Sequence, residues 1–367
     1  MYCFYVILCI VNDGFYIKRC LRLASKARGM TSPNPLVGSV IVRNGRIIAE
    51  AFHVKPGTPH AEALALEKAG ENARGSTLYV NLEPCCHTEK RTPPCTRAII
   101  KAGVAKVVIG MNDPNPKVSG KGTLELQRAG IEVKSGILED ESKRLNESYI
   151  KYITTRKPFV TLKIAMTLDG KIATPEGQSK WITGEKSRKL VHHLRSSVDA
   201  VMTAIGTVKA DDPQLTARIK GGKNPVRIVI DPKLEIPVKA KILRTPPETI
   251  IVTNTSNAKS IYIENTGIKL IILKEKLDLN LLMEKLGQME ITTLLIEGGA
   301  SLAAHALEDG IVDKVMFFIA PRIIGGKDSL PAVGGKTFRR LEDAYMVTDT
   351  KIKRIGDDFL IEGYIKQ

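Results

Sequence analysis

Short apolar stretches alternate with amphipathic ones in the first half of the chain. Two apolar runs between Leu36 and Glu50 flank Asn44-Gly45, a pair that tight turns favour, so this segment predicts a β-hairpin. Apolar residues spaced three or four apart predict helices, and compact apolar runs predict strands. The predicted helices are Ala61–Ala69, Thr96–Ala102 and Thr123–Ala129, and the predicted strands are Thr77–Asn81 and Lys106–Gly110. Strands that alternate with helices indicate a layered α/β domain.

The second half repeats this alternation after a polar, helical stretch from Glu139 to Lys157-Pro158. A domain boundary is expected nearby, and we divide the chain into an apolar extension at 1–12, a first domain at 13–150 and a second at 151–367. A further helix is predicted at Glu185–Ser196. The predicted buried strands of the second domain are Phe159–Ala165, Ala200–Thr203, Val226–Ile230, Thr249–Thr253 and Thr293–Ile296.

Composition and charge narrow the classes of function. The net charge of +16 invites a nucleic-acid interpretation, but the basic residues form no long block and aromatic residues make up only 5%. A phosphate-bearing substrate explains local basic pockets equally well, so we predict no nucleic-acid partner. No apolar run reaches the roughly 20 residues of a membrane span, so we predict no membrane partner. Met1–Val11 is apolar but lacks the basic leading segment and cleavage site of a secretory signal. We interpret it as a short extension, with a weak signal anchor as the alternative, and expect a cytoplasmic protein.

Six cysteines in 367 residues do not indicate a disulfide framework. Three of them cluster in residues 81–95, which read NLEPCCHTEKRTPPC. Upstream, His60 and Glu62 are two residues apart. One imidazole and two thiolates, from His60, Cys85 and Cys95, make a zinc tripod with an open position for water. Glu62 can then act as general acid and base, because H-x-E followed by P-C-x-x-C is a signature of zinc-dependent base deaminases.

The spacing between the two cysteines departs from that signature. Cys95 follows Cys85 by ten residues, and a continuous helix of that length rises by about 15 Å. Thr92-Pro93-Pro94 must therefore form a loop that returns the chain, with Cys95 at the start of the next helix. Cys86 could replace Cys85 as a ligand, and His87 could replace His60. A redox pair of cysteines is a further alternative. We prefer Cys85 because it follows Pro84 at a strand end.

The second domain carries weaker chemical signals. The predicted strand at Thr293–Ile296 ends in Glu297 and two glycines, followed by a helix from Ser301. A glycine turn that leads into a helix is a natural phosphate site, although it can also be a plain turn. Lys163 lies in an apolar strand, where a lysine is usually at an edge or in a site.

Several motifs of the first domain closely resemble the bifunctional riboflavin-biosynthesis deaminase/reductase family. They are TSPNPLVG from Thr31, PHAEALAL from Pro59, LEPCCHTEKRTPPC from Leu82 and NDPNPKVSGKG from Asn112. The resemblance implies a cytidine-deaminase-like α/β/α domain that removes the 2-amino group of 2,5-diamino-6-ribosylamino-pyrimidinone 5′-phosphate. It also implies that His60, Cys85 and Cys95 bind one zinc ion and that Glu62 shuttles protons.

By the same resemblance, polar residues of these motifs contact the pyrimidine nucleotide: Asn34, His53, His87, Asp113 and Asn115. Asn34 and Asn115 also lie in proline-rich turns, where asparagine is favoured locally. The chain departs from the family pattern twice. Cys86 stands where serine is more usual, and the loop after Cys85 is one residue longer. The second departure leaves open whether Lys90 or Arg91 meets the phosphate.

The second domain is similar to the reductase half of the same family, on TLKIAMTLDGKIAT, SKWITG, GTVKADDPQLTAR and LIEGGASLAAH. This implies a dihydrofolate-reductase-like fold that uses NADPH to reduce the ribosyl group of 5-amino-6-(5-phosphoribosylamino)uracil to ribityl. The implied substrate residues are Lys163, Ser179, Arg195, Leu215, Arg218 and Glu297. The implied cofactor residues are Ala165, Trp181, Thr207, Asp211, Gly299, Ala300, Ser301, Leu302, Ala303, Ala304 and His305. The family also tends to form homo-oligomers.

Four of these residues have alternatives or further support. Arg195 and Arg218 suit a 5′-phosphate, because a guanidinium group can donate two hydrogen bonds to it. Trp181, the only tryptophan, is otherwise expected in the core, and Asp211 can simply open a turn. Two rival functions are an RNA-editing deaminase with a basic accessory domain and a non-catalytic binding protein. The intact His60, Glu62, Cys85 and Cys95 set argues against the second rival.

Overall fold

A computed structural model describes residues 12–88, 93–256, 258–273, 277–335 and 340–366. The chain divides into two compact units, Met1–Thr155 and Arg156–Gln367. Except for Asn12, the predicted extension lies outside the described residues. Within the described part of the chain, no helix is long and apolar enough to cross a membrane.

Helices and strands alternate through the first unit. Its helices are α1 (Asp13–Ala24), α2 (Ala61–Ala69), α3 (Cys95–Ala102), α4 (Lys121–Arg128), α5 (Glu139–Leu145) and α6 (Glu147–Thr155). Its strands are β1 (Gly38–Arg43), β2 (Arg46–Phe52), β3 (Thr77–Leu82), β4 (Lys106–Met111) and β5 (Glu132–Lys134). They form one sheet in the order β2-β1-β3-β4-β5, in which β1 is antiparallel to β2 and β3 and the other neighbours are parallel.

Side chains of β3 alternate between the two faces of this sheet. Leu78 and Val80 pack with residues of α2 and α3, whereas Tyr79 packs with Tyr16 and Ile17 of α1. This alternation is the period of two that a strand imposes when both faces of its sheet are covered. The result is the predicted α/β/α layering.

Local sequence patterns predicted the hairpin and the two helices near the candidate site well. The hairpin is confirmed, since β1 pairs with β2 across Asn44 and Gly45, which have φ angles of 51° and 74°. Positive φ at both positions is what a type I′ turn requires. Helix α2 has the predicted bounds, and α3 begins at Cys95, one residue earlier than predicted.

Helix α6 decides where the first unit ends. Tyr149, Ile150 and Ile153 pack into the same core as α2 and α3. The division between the units therefore falls after Thr155, later than the predicted boundary at 150/151, because the whole of α6 is held by its apolar face.

The second unit is built on a larger sheet. Its helices are α7 (Glu185–Ser197), α8 (Ile205–Asp211), α9 (Lys241–Arg244), α10 (Ala258–Asn265), α11 (Leu279–Gln288) and α12 (Ala300–Glu308). Its strands are β6 (Phe159–Thr167), β7 (Lys171–Ala173), β8 (Ala200–Ala204), β9 (Val226–Ile230), β10 (Thr249–Thr253), β11 (Lys269–Ile272), β12 (Thr293–Ile296), β13 (Lys314–Ala320), β14 (Leu330–Pro331), β15 (Val347–Ile355) and β16 (Asp358–Ile365).

The sheet runs in the order β11-β10-β9-β8-β12-β6-β13-β16-β15, and β7 pairs separately with β14. The seven strands that lie from β11 to β13 in this order run parallel to one another. Strand β16 is antiparallel to β13, and β15 is antiparallel to β16. In β10, Ile250 and Val252 pack on one face and Ile251 on the other. Helices cover both faces of a parallel sheet, which explains the continuous apolar runs that predicted these strands. Both units are therefore α/β, as predicted.

A close backbone approach gives a test of this packing. A Cβ atom added at Gly287, in α11, would lie 1.8 Å from the carbonyl oxygen of Arg156, whereas one added at Gly206, in α8, meets nothing within 4 Å. Because overpacking typically costs about 1–3 kcal/mol, we expect Gly287→Ala to lower the melting temperature by several degrees in calorimetry. Gly206→Ala is the control and should cause no such loss. Equal melting temperatures for the two variants would contradict the close approach.

Candidate functional site

Three side chains that could hold a metal ion converge from separate elements of the first unit. His60 is the N-cap residue of α2, Cys85 follows β3, and Cys95 is the first residue of α3. The Nδ1 atom of His60 lies 3.5 Å from Cys85 Sγ and 3.3 Å from Cys95 Sγ. Tetrahedral zinc, with bonds of about 2.0–2.1 Å to nitrogen and about 2.3 Å to sulfur, separates such ligand atoms by about 3.5 Å. The donor set and its spacing therefore fit one zinc ion.

Thr96 closes the loop between the two cysteines. Its backbone N–H and its hydroxyl both donate to the carbonyl oxygen of Cys85, at 3.3 Å and 3.5 Å. Cys85 and Cys95 are 9% and 1% exposed and pack beside Val118. The ten-residue gap is thus compatible with a shared site, because the chain folds back as predicted.

The alternative ligands lie elsewhere. Cys86 directs Sγ towards the carbonyl oxygen of Lys117, 3.8 Å away, and His87 is half-buried. Among the described residues, the group able to hold a metal consists of His60, Cys85 and Cys95. The predicted phosphate contacts, Lys90 and Arg91, lie outside the described residues.

Glu62 is buried in the first turn of α2 and is only 3% exposed. It lies two residues after His60, so the helix carries the carboxylate and the imidazole into the same region.

Asn34 and His53 form a pair beside the cluster. His53 Nδ1 donates to the carbonyl oxygen of Pro59 at 3.3 Å, which leaves Nε2 to accept from Asn34 Nδ2 at 3.0 Å. The rings of His53 and His60 meet edge to face, 5.2 Å apart. Burial lowers the pKa of His53. A neutral His53 therefore orients the Asn34 amide near the candidate metal ligands.

Asp113 is a buried carboxylate that holds a turn. Its Oδ1 accepts hydrogen bonds from Asn115 N–H and from the Tyr149 hydroxyl, both at 2.9 Å. Burial raises the pKa of Asp113 to about 6, against the opposing effect of these hydrogen bonds. Asn115 Oδ1 accepts from the N–H of Lys117 at 3.0 Å, so its side chain is also used within the turn.

Two buried asparagines that the sequence analysis missed hold the segment after Asn34. Asn81 accepts from Gly38 N–H at 2.8 Å and donates to the carbonyl oxygen of Leu36 at 2.9 Å. Asn146 accepts from Leu36 N–H at 2.8 Å and donates to the same carbonyl oxygen at 3.1 Å. These contacts were invisible in the sequence because the partners are far apart along the chain.

Glu83 was also missed, although it lies within the quoted motif. It is 2% exposed, and its carboxylate accepts from the backbone N–H groups of Asp113, Gly120 and Thr123 at 3.0–3.1 Å. It thereby fixes both ends of the loop that carries Asp113 and Asn115.

Glu297 is the centre of the candidate site in the second unit. Arg195 donates to it from Nε at 2.6 Å and Nη2 at 3.1 Å, and Lys163 Nζ lies 3.3 Å from Oε2. Burial opposes its ionisation, but the charges of Arg195 and Lys163 outweigh burial and lower the pKa of Glu297 to about 2. The carboxylate is therefore ionised throughout the neutral range.

A third hydrogen bond fixes the orientation of Arg195. Nη1 donates to the carbonyl oxygen of Thr216 at 3.2 Å, so these contacts use three of the five Arg195 N–H donors and leave one on each of Nη1 and Nη2 for a substrate group. Arg218 is exposed and suits a 5′-phosphate. Leu215 is buried at a φ of 52°, in the same segment.

Ser179 and Trp181 lie on a loop of the same unit, and Asp211 is the last residue of α8. Ser179 Oγ donates to Asp211 Oδ1 at 3.1 Å, so Asp211 does more than open a turn. Trp181 is 61% exposed, which shows that the alternative of a core residue is wrong. The Arg188 guanidinium lies 4.7 Å from its ring centre, and Arg322 donates to its carbonyl oxygen at 3.0 Å.

The first turn of α12 faces Thr207 of α8. Gly299 is the N-cap residue of α12, and a Cβ added there would lie 3.9 Å from Thr207 Oγ1. Ala300 is half-buried, Ser301 and His305 are exposed, and Leu302, Ala303 and Ala304 are buried. The side chains of Leu302 and Ala303 pack in the core of the sheet. Ala165, on β6, packs beside Phe318 and Leu360.

Comparison with known proteins places both units in recognised groups. The protein-family model described as "Cytidine and deoxycytidylate deaminase zinc-binding region" matches residues 11–111. The family model described as "RibD C-terminal domain" matches residues 158–361. The riboflavin biosynthesis protein RibD of Aquifex aeolicus is 46% identical over 95% of this chain and 97% of its own. The chain belongs to the RibD family.

Solved RibD structures agree with the fold. RibD of Acinetobacter baumannii matches with a TM-score of 0.88 and 37% identity, over 97% of this chain and 99% of its own. A deaminase/reductase from Thermotoga maritima matches with a TM-score of 0.87 and 38% identity, over 96% and 99%. The chain is a bifunctional deaminase and reductase of riboflavin biosynthesis, with a zinc-binding deaminase region and a nicotinamide-dependent reductase domain.

Proposed function

We propose that the first unit deaminates 2,5-diamino-6-ribosylamino-pyrimidinone 5′-phosphate and that the second reduces the ribosyl group of the resulting 5-amino-6-(5-phosphoribosylamino)uracil with NADPH. The observation that supports the proposed deamination is the cluster of His60 Nδ1 with the thiols of Cys85 and Cys95, two residues before the buried Glu62 in the case of His60. The T. maritima relative is described as the deaminase and reductase of this pair of reactions.

In the deaminase, His60, Cys85 and Cys95 hold one zinc ion. Zinc bound by three protein ligands supplies an acidified water as a nucleophile near neutral pH. Glu62 takes a proton at its carboxylate and returns it to the departing amino nitrogen. Burial of Glu62 excludes competing water from this transfer.

Polar groups around the cluster orient the pyrimidine. Asn34, oriented by His53, and the carboxylate of Asp113 offer fixed hydrogen-bonding groups for the ring and its substituents. His87 and Asn115 complete the set of proposed contacts, with Lys90 or Arg91 at the phosphate. A preorganised set of this kind lowers the entropic cost of binding.

In the reductase, NADPH supplies the hydride when bound. The first turn of α12, with Gly299, Ala300 and Ser301, presents backbone N–H groups that suit a cofactor phosphate. Thr207 lies beside it, and Trp181, Asp211, His305 and Ala165 complete the proposed cofactor lining. The side chains of Leu302, Ala303 and Ala304 support this turn from the core.

The ion cluster of Glu297, Lys163 and Arg195 forms the proposed substrate side of the reductase. Because Arg195 is held by Glu297 and Thr216, it fixes the shape of the site, and Lys163 supplies a positive charge. Arg218 binds the 5′-phosphate, with Ser179 and Leu215 as the remaining contacts.

We further infer a cytoplasmic homo-oligomer. Exposed apolar side chains on and beside the edge strand β15, such as Met346 and Ile352 at 63% and 67% exposure, support association between copies of the chain.

The ligand assignment predicts a contrast between adjacent cysteines. Cys85→Ser should lower bound zinc well below one ion per chain in metal analysis, because a hydroxyl is a poor substitute for a thiolate. Cys86→Ser is the matched control and should retain zinc and ammonia release. Loss of zinc from the Cys86→Ser enzyme would reverse the assignment.

The role of Glu62 predicts a loss of chemistry without a loss of metal. Glu62→Gln keeps the shape but cannot shuttle protons, so we expect zinc to remain and ammonia release to fall by about two to four orders of magnitude. Glu67→Gln, an exposed change on the same helix, is the control. Near-normal turnover of Glu62→Gln would refute the proton-transfer role.

Arg195 should separate the two activities. Arg195→Ala leaves Glu297 with one cationic partner, and we expect kcat/KM for NADPH oxidation to fall about 100-fold with deamination unchanged. The assay supplies deaminated substrate directly, and the exposed Lys189→Ala on α7 serves as control. Equal damage to both activities would contradict a role confined to the reductase.

A further inference from the structure

Helix α6 lies outside residues 11–111, the region matched by the deaminase model. It nevertheless contributes to the surroundings of two proposed substrate contacts. Asn146, immediately before α6, hydrogen-bonds to the backbone of Leu36, which lies two residues after Asn34. Tyr149 of α6 donates to Asp113. The structure therefore extends the deaminase site beyond its recognised motifs.

The Tyr149 contact is local, buried and directional. Tyr149 and Asp113 are 8% and 5% exposed, and the hydroxyl donates to Oδ1 at 2.9 Å. The backbone N–H of Asn115 donates a hydrogen bond to the same oxygen. Both hydrogen bonds from described residues thus end on Oδ1 of Asp113. Oδ2 is therefore the carboxylate oxygen that can meet a substrate.

Tyr149 is suited to act as a permanent donor. Burial, followed by the negative charge of Asp113, raises the pKa of Tyr149, so the phenol stays protonated at neutral pH. Glu83, two residues before Cys85, accepts from the backbone N–H of Asp113 at 3.1 Å, which places the pair close to the candidate zinc ligands.

We propose that Tyr149 is a positioning residue for deamination, whose hydroxyl holds the Asp113 carboxylate so that Oδ2 faces the pyrimidine. This inference rests on the proposed function, because it assumes that Asp113 binds the substrate. In this role Tyr149 acts on the substrate only through Asp113. Its removal should therefore weaken substrate binding while sparing the chemical step.

The test uses the full-length, zinc-loaded enzyme and ammonia release from the pyrimidine nucleotide. Tyr149→Phe removes only the hydroxyl, and we expect KM to rise about tenfold while kcat changes less than about twofold. Zinc content and NADPH oxidation with deaminated substrate should be unchanged. Tyr152→Phe is the matched control, since Tyr152 lies on the same helix and is 7% exposed.

A double-mutant cycle separates positioning from simple packing. If Tyr149 acts through Asp113, adding Tyr149→Phe to Asp113→Asn should raise KM little further. Independent, multiplicative effects would overturn the proposal, as would an unchanged KM in Tyr149→Phe or equal KM effects from Tyr149→Phe and Tyr152→Phe. Failure of the proposed function is distinct, because it would appear as absent ammonia release in the unsubstituted enzyme.

Discussion

Two hydrogen bonds from Thr96 to the carbonyl oxygen of Cys85 join the two ends of the segment between the cysteine ligands, and the first site depends on this contact. They bring two thiols ten residues apart to one imidazole. Two of the three candidate ligands also lie at the beginnings of helices, because His60 is the N-cap residue of α2 and Cys95 is the first residue of α3. Positive helix ends favour the thiolate over the thiol, and the thiolate is the form that binds metal. The loop geometry and the electrostatics therefore support the same chemistry.

Buried carboxylates organise both sites, in two different ways. Glu83 accepts three backbone N–H groups and so fixes a loop. Glu297 instead pairs with Arg195 and Lys163, and so fixes cationic side chains. A buried charge is tolerated only when it is satisfied by such partners, and removing one partner is costly. Each carboxylate thus makes the geometry around it hard to vary.

Local patterns predicted much of this structure. The Asn44-Gly45 hairpin, helix α2 and the return loop before Cys95 follow from turn, helix and proline preferences that act over a few residues. The candidate ligands His60, Cys85 and Cys95 followed from chemistry and spacing. Trp181 was ambiguous because burial of an aromatic residue depends on its whole surroundings, and the commitment of Arg195 to Glu297 depends on a partner 102 residues away. Asn81, Glu83 and Asn146 gave no local signal, since their role is to bond backbone groups that only the fold brings near.

The extent of the deaminase is set by these distant hydrogen bonds. A piece of chain ending with the matched motifs, at residue 111, would contain all the candidate zinc ligands and Glu62. It would lack Asp113 and Asn115, and also Asn146 and Tyr149, which hold the segments bearing Asn34 and Asp113. Helix α6 is therefore a structural part of the first unit, and its apolar residues Tyr149, Ile150 and Ile153 pack in the core of that unit. In the proposed function the motif carries the reacting groups, whereas α6 holds the segments proposed to bind the substrate.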